Sequence, residues 1–264
     1  MRIATWNVNS IKLRLPNLLK WLKQAEPDVV LLQEIKCLEG SFPALELESA
    51  GYRCAVVGQK TYNGVAILSR HPIAIERRAL PDASDDEPAR YIEAIIEPKS
   101  KNGSRQVVRV ASIYAPNGNP APGPKYDLKL AFMARLETHA RRLLALEEPL
   151  VLGGDYNVIP APEDVYDPKA WAADALFLPA SRMALRRIVH LGYTDAFRAL
   201  HSEVAYSFWD YQAGAWAKDH GLRIDHLLLS PQAADRLNAS GIDKKPRDWE
   251  KPSDHTPVWC ELKI

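Results

Sequence analysis

Six apolar runs in this chain end against a side chain that has chemistry of its own. "RIATW" runs into Asn7, with Asn9 two residues on; "DVVLLQ" into Glu34; "RVASI" into Tyr114; "PLVLGG" into Asp155 and then Asn157. "GLRI" is followed at once by Asp225, and the closing run "VWCELKI" is preceded by "PSDH", which holds Ser253, Asp254 and His255. Each residue alone has a plainer explanation. Asn7 suits a turn, Glu34 a helix N-terminus, and Tyr114 a half-buried phenol with its hydroxyl in water. Asp155 and Asn157 suit a loop, Asp225 a surface pair with Arg223, and Ser253-Asp254 a turn before a strand. Together they point elsewhere. If these ends meet at one rim, several carboxylates are crowded there and repel one another unless a cation joins them. Oxygen donors from Asn, Asp and Glu suit a hard ion such as Mg²⁺ rather than zinc. Mg²⁺ takes one or two carboxylates, keeps waters and completes its shell with substrate phosphate. That is the setting of phosphoester hydrolysis, which needs an attacking water, a group to orient or deprotonate it, and positive charge on the phosphoryl oxygens. Asp254 and His255 are neighbours on an extended stretch, so they face opposite sides and can take separate roles.

These residues need strands to hold them. "RIATWNV", "DVVLLQE" and "PLVLGGDYNV" read as strands, the latter two as continuous apolar runs buried on both faces. "YRCAVVGQ" and "NGVAILS" flank a polar turn and read as a hairpin. "RYIEAIIEP" and "QVVRVASIYAPNG" form a second pair, and "RIDHLLLS" and "TPVWCELKI" are late strands. Helical spacing marks "LPNLLKWLKQAEP", ending before Pro27, "YDLKLAFMARLETHARRLLALE", and "SRMALRRIVHLG", stopping at Gly192. Strands in adjacent pairs without strict alternation favour antiparallel or mixed sheets with helices outside. Each half carries a few strands and a helix, which suggests two sheets packed face to face. "APNGNPAPGPKY" reads as a surface loop, and residues 1–264 as one domain.

Composition narrows the class. The chain has 264 residues, 47% hydrophobic and 25% charged, with a net charge of +1. That is an ordinary globular composition, and any nucleic-acid surface must come from local clustering. Cys37, Cys54 and Cys260 show no C-x-x-C spacing, which fits a reducing, cytoplasmic setting. No run approaches the roughly 20 apolar residues of a membrane helix.

With the residues assembled, the chain resembles the exonuclease III family of DNA-repair nucleases, within the endonuclease/exonuclease/phosphatase superfamily. The resemblance rests on "WNVNSIKLR", "PDVVLLQEIKC", "YNGVAILS", "SIYAPNG", "LVLGGDYNVIP", "GLRIDHLLLS" and "EKPSDHTPVW", which follow the family's order from residue 6 to residue 259. It implies a DNase I-like four-layered α/β sandwich, two mixed β-sheets packed face to face with helices outside. It implies Mg²⁺-dependent cleavage of duplex DNA on the 5′ side of abasic sites, with Mn²⁺ as a substitute. It also implies 3′→5′ exonuclease and 3′-phosphatase or phosphodiesterase activity on blocked 3′ ends, by a monomer.

Carried over by position, Glu34 is the principal metal ligand, with Asn7 beside it and Asp254 nearby. Asp155 and Asn157 share the metal and the reacting phosphate. Asp155 positions or deprotonates the water, and Asn157 supports the phosphoryl group. Tyr114 serves the phosphate or the leaving oxygen. Asp225 fixes the imidazole of His255, which holds the phosphate. The base is Asp155 or, alternatively, His255. Phe208, Leu222 and Ile224 surround the sugar that lacks a base, with Trp209, Tyr211 and Gln212 in the groove or the core. Asn9, Arg90 and Lys251 belong to the substrate side, with Lys125, Lys218 and the cluster Lys244, Lys245 and Arg247 as further basic grip. Rival readings are a superfamily phosphatase acting on a non-DNA phosphoester and a catalytically inactive DNA-binding protein.

Overall fold

A computed structural model describes residues 1–84, 87–98 and 107–264. The elements in chain order are β1 (Arg2–Asn7), α1 (Ile11–Ala25), β2 (Val29–Gln33), α2 (Ala44–Ser49), β3 (Arg53–Val57), β4 (Val65–Ser69) and β5 (Ile73–Arg77). They continue with β6 (Tyr91–Ile96), β7 (Val108–Tyr114), α3 (Pro124–Leu144), β8 (Leu150–Asp155), α4 (Pro179–His190) and β9 (Thr194–Asp195). Last come β10 (Asp225–Leu229), α5 (Pro231–Ala234), β11 (Leu237–Ile242) and β12 (Val258–Leu262).

Two six-stranded sheets form, ordered β11-β12-β1-β2-β4-β3 and β5-β6-β7-β8-β10-β9. Each is mixed. β1 and β2 run parallel in the first, β7 and β8 in the second, and the remaining pairings are antiparallel. The period of two along a strand sorts the side chains. Ile3, Val29, Leu31 and Ile67 meet Ile92, Val110, Val151 and Leu227 between the sheets. Ala4, Trp6, Val30 and Leu32 face outward onto Leu18, Trp21 and Leu22 of α1 and Leu47 of α2. On the far side Ala111, Ile113 and Leu152 pack on Phe132, Met133 and Leu136 of α3 and on Leu185 and Ile188 of α4. Helices, sheet, sheet and helices make the four-layered sandwich expected from the sequence.

The two glycines of "LVLGGD" set how closely the layers approach. A Cβ on Gly153 would lie 2.5 Å from Leu31 Cδ1 of the opposite sheet, and one on Gly154 would lie 1.9 Å from the carbonyl oxygen of Ile113 on the neighbouring strand. Only glycine admits both approaches just before Asp155.

The structure adds elements that the sequence did not announce. β5 and β11 lie at sheet edges, mostly half-buried or exposed, with register shifts at Ile75/Arg77 and Leu237/Ala239. Half-exposed edges carry little apolar signal. α1 starts at Ile11, earlier than the apolar spacing suggests, and keeps Pro16 inside it. Its opening turn is tied to the chain after β2 by Ser10 N–H to Glu34 O (2.7 Å) and Ile11 N–H to Ile35 O (3.1 Å). α3 starts at Pro124, so "PKY" belongs to the helix rather than the loop. The strand expected from Gln106 begins outside the described residues there, and is regular from Val108.

Candidate active site

The topology brings the six polar ends to one rim. β1, β2, β7 and β8 deliver their C-terminal ends there, whereas β10 and β12 run the other way and deliver their N-terminal ends. In the second sheet Tyr114, Asp155 and Asp225 occupy one rung: Tyr114 pairs with Asp155, and Asp155 with Asp225. In the first sheet Asn7 pairs with Gln33, so Glu34 is the first residue beyond the rung. Positive φ values turn the chain sharply after these ends, at Asn9 (44°), Glu34 (51°) and Asn157 (49°). Each such turn stores about 1–3 kcal/mol at a non-glycine residue and aims its side chain.

Asn7 joins the two sheets. Its Nδ2 donates to Glu34 Oε1 (2.9 Å) and Asp155 Oδ2 (3.0 Å), while its Oδ1 accepts from Asn9 N–H (3.0 Å). Two hard oxygen donors therefore converge on one point, which suits a small hard cation. As placed, Asn7 offers those carboxylates a donor, and its own oxygen is turned to Asn9. Tyr114 OH donates to Glu34 Oε1 (2.9 Å), and Lys36 Nζ lies 2.8 Å from Glu34 Oε2. Asp254 sits outside this set and joins it through Asn9, whose Nδ2 donates to Asp254 Oδ1 (3.0 Å). Asn157 donates its backbone N–H to Asp155 Oδ1 (2.9 Å) and its amide to the carbonyl of Ala115 (3.0 Å).

On the other flank His255 Nδ1 lies 2.9 Å from Asp225 Oδ2, and Ser207 Oγ donates to the same oxygen (2.6 Å). His255 Nε2 faces Asp155 Oδ2 at 3.8 Å. Ser253 Oγ donates to Asn7 O (2.7 Å), and Trp6 Nε1 to His255 O (3.1 Å), which locks "PSDH" against β1. Asp155, Asp225 and His255 form a buried group whose donor atoms lie within 4.8 Å of one another.

Burial sets the charges. It would lower the His255 imidazole, but Asp225 and Asp155 overcome it and push the group up to about 10. Burial raises Asp155 to about 7, with Asp225 and Glu34 adding to it and His255 opposing. Glu34 would also rise on burial, yet the hydrogen bonds from Asn7 and Lys36 hold it below its ordinary value. The Tyr114 phenol is pushed well up by burial and by Glu34 and Asp155, so it stays a donor. The imidazole is thus a buried cation, and the Asp155 carboxyl that faces it is raised.

The remaining expected residues divide. Arg90 is half-buried, its guanidinium 4.6 Å over the Tyr114 ring and donating to Tyr114 O (3.2 Å). Phe208 stands edge-on to His255, centroids 4.9 Å apart, and is partly exposed. Leu222 and Ile224 do not line an open wall. They are buried with Ile159, Val165, Leu176 and Phe177, and Leu222 bridges to both Val165 and Phe208. Trp209 is fully buried. Lys251, Lys125, Lys218, Lys244 and Lys245 are exposed. Arg247 leaves the proposed basic cluster: it is buried, donates to Trp209 O (3.0 Å) and covers the Tyr211 ring at 5.1 Å. Arg223 is not a surface partner of Asp225. It is buried against Asp164 and Asp195, at 2.7 Å each.

Sequence reasoning missed Lys36, Ser207, Asn117 and Lys129 as parts of the site. Lys129 had a signal: it falls on the apolar stripe of α3 with Phe132, Met133 and Leu136, where a charge is out of place. Burial lowers its ammonium to about 7, with Asp155 and Asp174 opposing.

Two facing mixed sheets, with buried carboxylates and a carboxylate-held imidazole at one rim, define a phosphoesterase whose site can hold a metal. The profile of the Endonuclease/Exonuclease/phosphatase family matches residues 4–255, and the chain belongs to that family. It is 32% identical to exodeoxyribonuclease III of Haemophilus influenzae over 272 residues, covering all of both chains. A solved 3′ phosphatase from Neisseria, bound to a product DNA hairpin, superposes with TM-score 0.92 at 36% identity and full coverage of both chains. An AP endonuclease from Archaeoglobus fulgidus does so with TM-score 0.92 at 33% identity, also with full coverage of both.

Proposed function

We propose that the protein is a DNA-repair nuclease that hydrolyses phosphodiester bonds 5′ to abasic sites in duplex DNA and clears blocked 3′ ends by exonuclease and 3′-phosphatase action. The observation that carries this reading is the single rim at which Asn7, Glu34, Tyr114, Asp155, Asp225 and His255 meet. Exodeoxyribonuclease III of H. influenzae, matched over its whole length, supports it.

Glu34 and Asp155 are the residues that would hold Mg²⁺, or Mn²⁺ in its place, with Asn7 between them and Asp254 and Asn157 at the margin. The ion would supply Lewis-acid charge on the phosphoryl oxygens. His255, kept cationic by Asp225, donates from Nε2 to a phosphoryl oxygen. Being already protonated, it does not take the water's proton. Asp155 orients the water and accepts that proton, and a cation held by Glu34 and Asp155 would offset the rise that burial gives its carboxyl. Tyr114 donates its hydroxyl proton toward the phosphate or the leaving oxygen, and Asn157 supports the phosphoryl group as charge builds. Phe208 packs on the sugar, and Arg90 and Lys251 meet flanking phosphates. Phosphate contacts carry no sequence information, so duplex shape and damage are read with little base preference. Among the described residues no helix is long and apolar enough to cross a membrane. We place the activity with a monomer in the cytoplasm.

The test is cleavage of a labelled duplex carrying one tetrahydrofuran abasic analogue, with Mg²⁺ and with EDTA, beside an undamaged duplex and a 3′-phosphate duplex. Incision 5′ to the analogue and removal of the 3′ phosphate, both abolished by EDTA, are expected. Turnover of neither damaged duplex would overturn the reading.

A further inference from the structure

Lys129 enters the site from behind. It lies on the inward stripe of α3 and is fully buried. Its ammonium donates to two backbone carbonyls from different loops: Asn117 O (3.0 Å), beyond the end of β7, and Asn157 O (2.5 Å), beyond the end of β8. Both loops also converge in front. Asn117 Nδ2 lies 3.4 Å from Asn157 Oδ1, and Asn157 N–H holds Asp155 Oδ1. The loop is laid directly on the lysine stem. A Cβ on Gly118, whose φ is +92°, would lie 2.7 Å from Lys129 Cδ.

We propose that Lys129 is a positioning residue for the reaction: it ties the two post-strand loops together from below and thereby fixes the Asn117 and Asn157 amides beside Asp155, where the phosphoryl group is held. The proposal rests on the nuclease reading given above. Two features of the site support it beyond the contacts themselves. A clamp on two carbonyls alone could be neutral, and a buried ammonium costs several kcal/mol when no anion is paired with it. Among the described residues no carboxylate stands within ion-pair distance of Lys129. What keeps the ammonium charged against that cost is the pair of carbonyls it orders and the negative charge of Asp155 and Asp174 nearby. Second, Asn157 sits at φ 49°, so its carbonyl is turned away from the strand direction and toward α3. The ammonium holds it there.

Such a residue acts on transition-state geometry more than on affinity, because the amides are misplaced while the DNA surface is intact. The test compares steady-state cleavage of the tetrahydrofuran duplex by wild type, Lys129→Met, Asn157→Ala and the double variant, with folding followed by circular dichroism. Lys129→Met is expected to lower kcat by about 30- to 100-fold with KM within about threefold. Adding it to Asn157→Ala is expected to cost little more, since the lysine acts through that amide. In Lys129→Ala, ethylammonium is expected to restore part of kcat, whereas tetramethylammonium, which has charge and no N–H, is not. Should the methionine variant fail to fold, Lys129→Gln carries the comparison with a shorter neutral donor. A folded variant with wild-type kcat, losses that add in full, or equal effects of the two amines would overturn the proposal. Wild type is assayed first, so failure to cleave the duplex would strike the nuclease reading rather than the role of Lys129.

Discussion

His255 and Asp155 are separated by 3.8 Å, and their charges were decided by neighbours rather than by their own chemistry. Asp225 holds the imidazole as a cation and is itself held by Ser207, so the pair acts as one unit. Asp225→Ala and His255→Ala should each lower kcat by on the order of 10²- to 10⁴-fold, and the double variant should fall barely below the worse single one. Single-turnover rates check this, and fully additive losses would show that the two side chains work separately. Glu34 tests the other flank. Glu34→Gln keeps the shape and the hydrogen bond from Tyr114 but removes the charge that a cation needs. Most turnover should be lost, with part regained at higher Mg²⁺ or with Mn²⁺; wild-type rates at low Mg²⁺ would take Glu34 out of the site. At this scale the sequence was informative because each of these residues interrupts an apolar run. Lys36 and Ser207 were not legible as site residues, because a lysine or serine in a polar stretch looks like any surface residue until the fold places it beside Glu34 or Asp225.

The elements position the rim through contacts that lie away from the chemistry. Arg223, two residues before Asp225, is clamped by Asp164 and Asp195, and the Asp164 carboxylate also accepts from Arg198. Burial would raise both carboxyls, but the Arg223 guanidinium holds each below its ordinary value. Their contribution to stability is therefore present above the unfolded value of about 4 and is lost as pH falls through the lower folded values. Arg223→Met takes the guanidinium from two buried carboxylates, leaving Asp164 to Arg198 and Asp195 to backbone N–H groups, and should cost about 3–5 kcal/mol in urea unfolding at pH 7. That deficit should shrink as the pH is lowered below about 4, where wild type loses the same interaction. A deficit that stays constant across that range would show that the network does not titrate with folding. Leu222 belongs to the same region. The sequence suggested a pocket wall, but Val165 caps it, so Leu222→Trp should overpack the cluster and cost about 1–3 kcal/mol rather than only narrow an opening. The capping segment carries no strand-like pattern around Val165, which is why the cover was not legible. Unchanged thermal stability of that variant would show that the cluster has room.

Across the whole molecule the design is one of paired sheets that face each other and end together. Strand identity and the four layers were legible because buried strands read as unbroken apolar runs. The edges β5, β9 and β11 were not, since half-exposed backbone pairing leaves little trace in side-chain pattern. The cost of the arrangement is concentrated at the rim, where Asp155 and Asp225 crowd one imidazole, with Glu34 held by Lys36 and Asp254 reached through Asn9. Net charge over the chain is only +1, so this repulsion is local and is not relieved by the molecule as a whole. A cation bound there should stabilise the folded state by linkage, by about 2.7 kcal/mol at 100 times its dissociation constant. For a chain of this size that corresponds to a rise in Tm of several degrees, at about 2–4 °C per kcal/mol. Thermal scans in EDTA and in rising Mg²⁺ should show that rise in wild type at constant ionic strength, which removes general screening from the comparison. Glu34→Gln should flatten the response, and its Tm in EDTA should lie slightly below that of wild type, because the charge it removes is held by Lys36 and Asn7. An equal Mg²⁺-dependent rise in the variant would place the stabilising cation elsewhere on the protein.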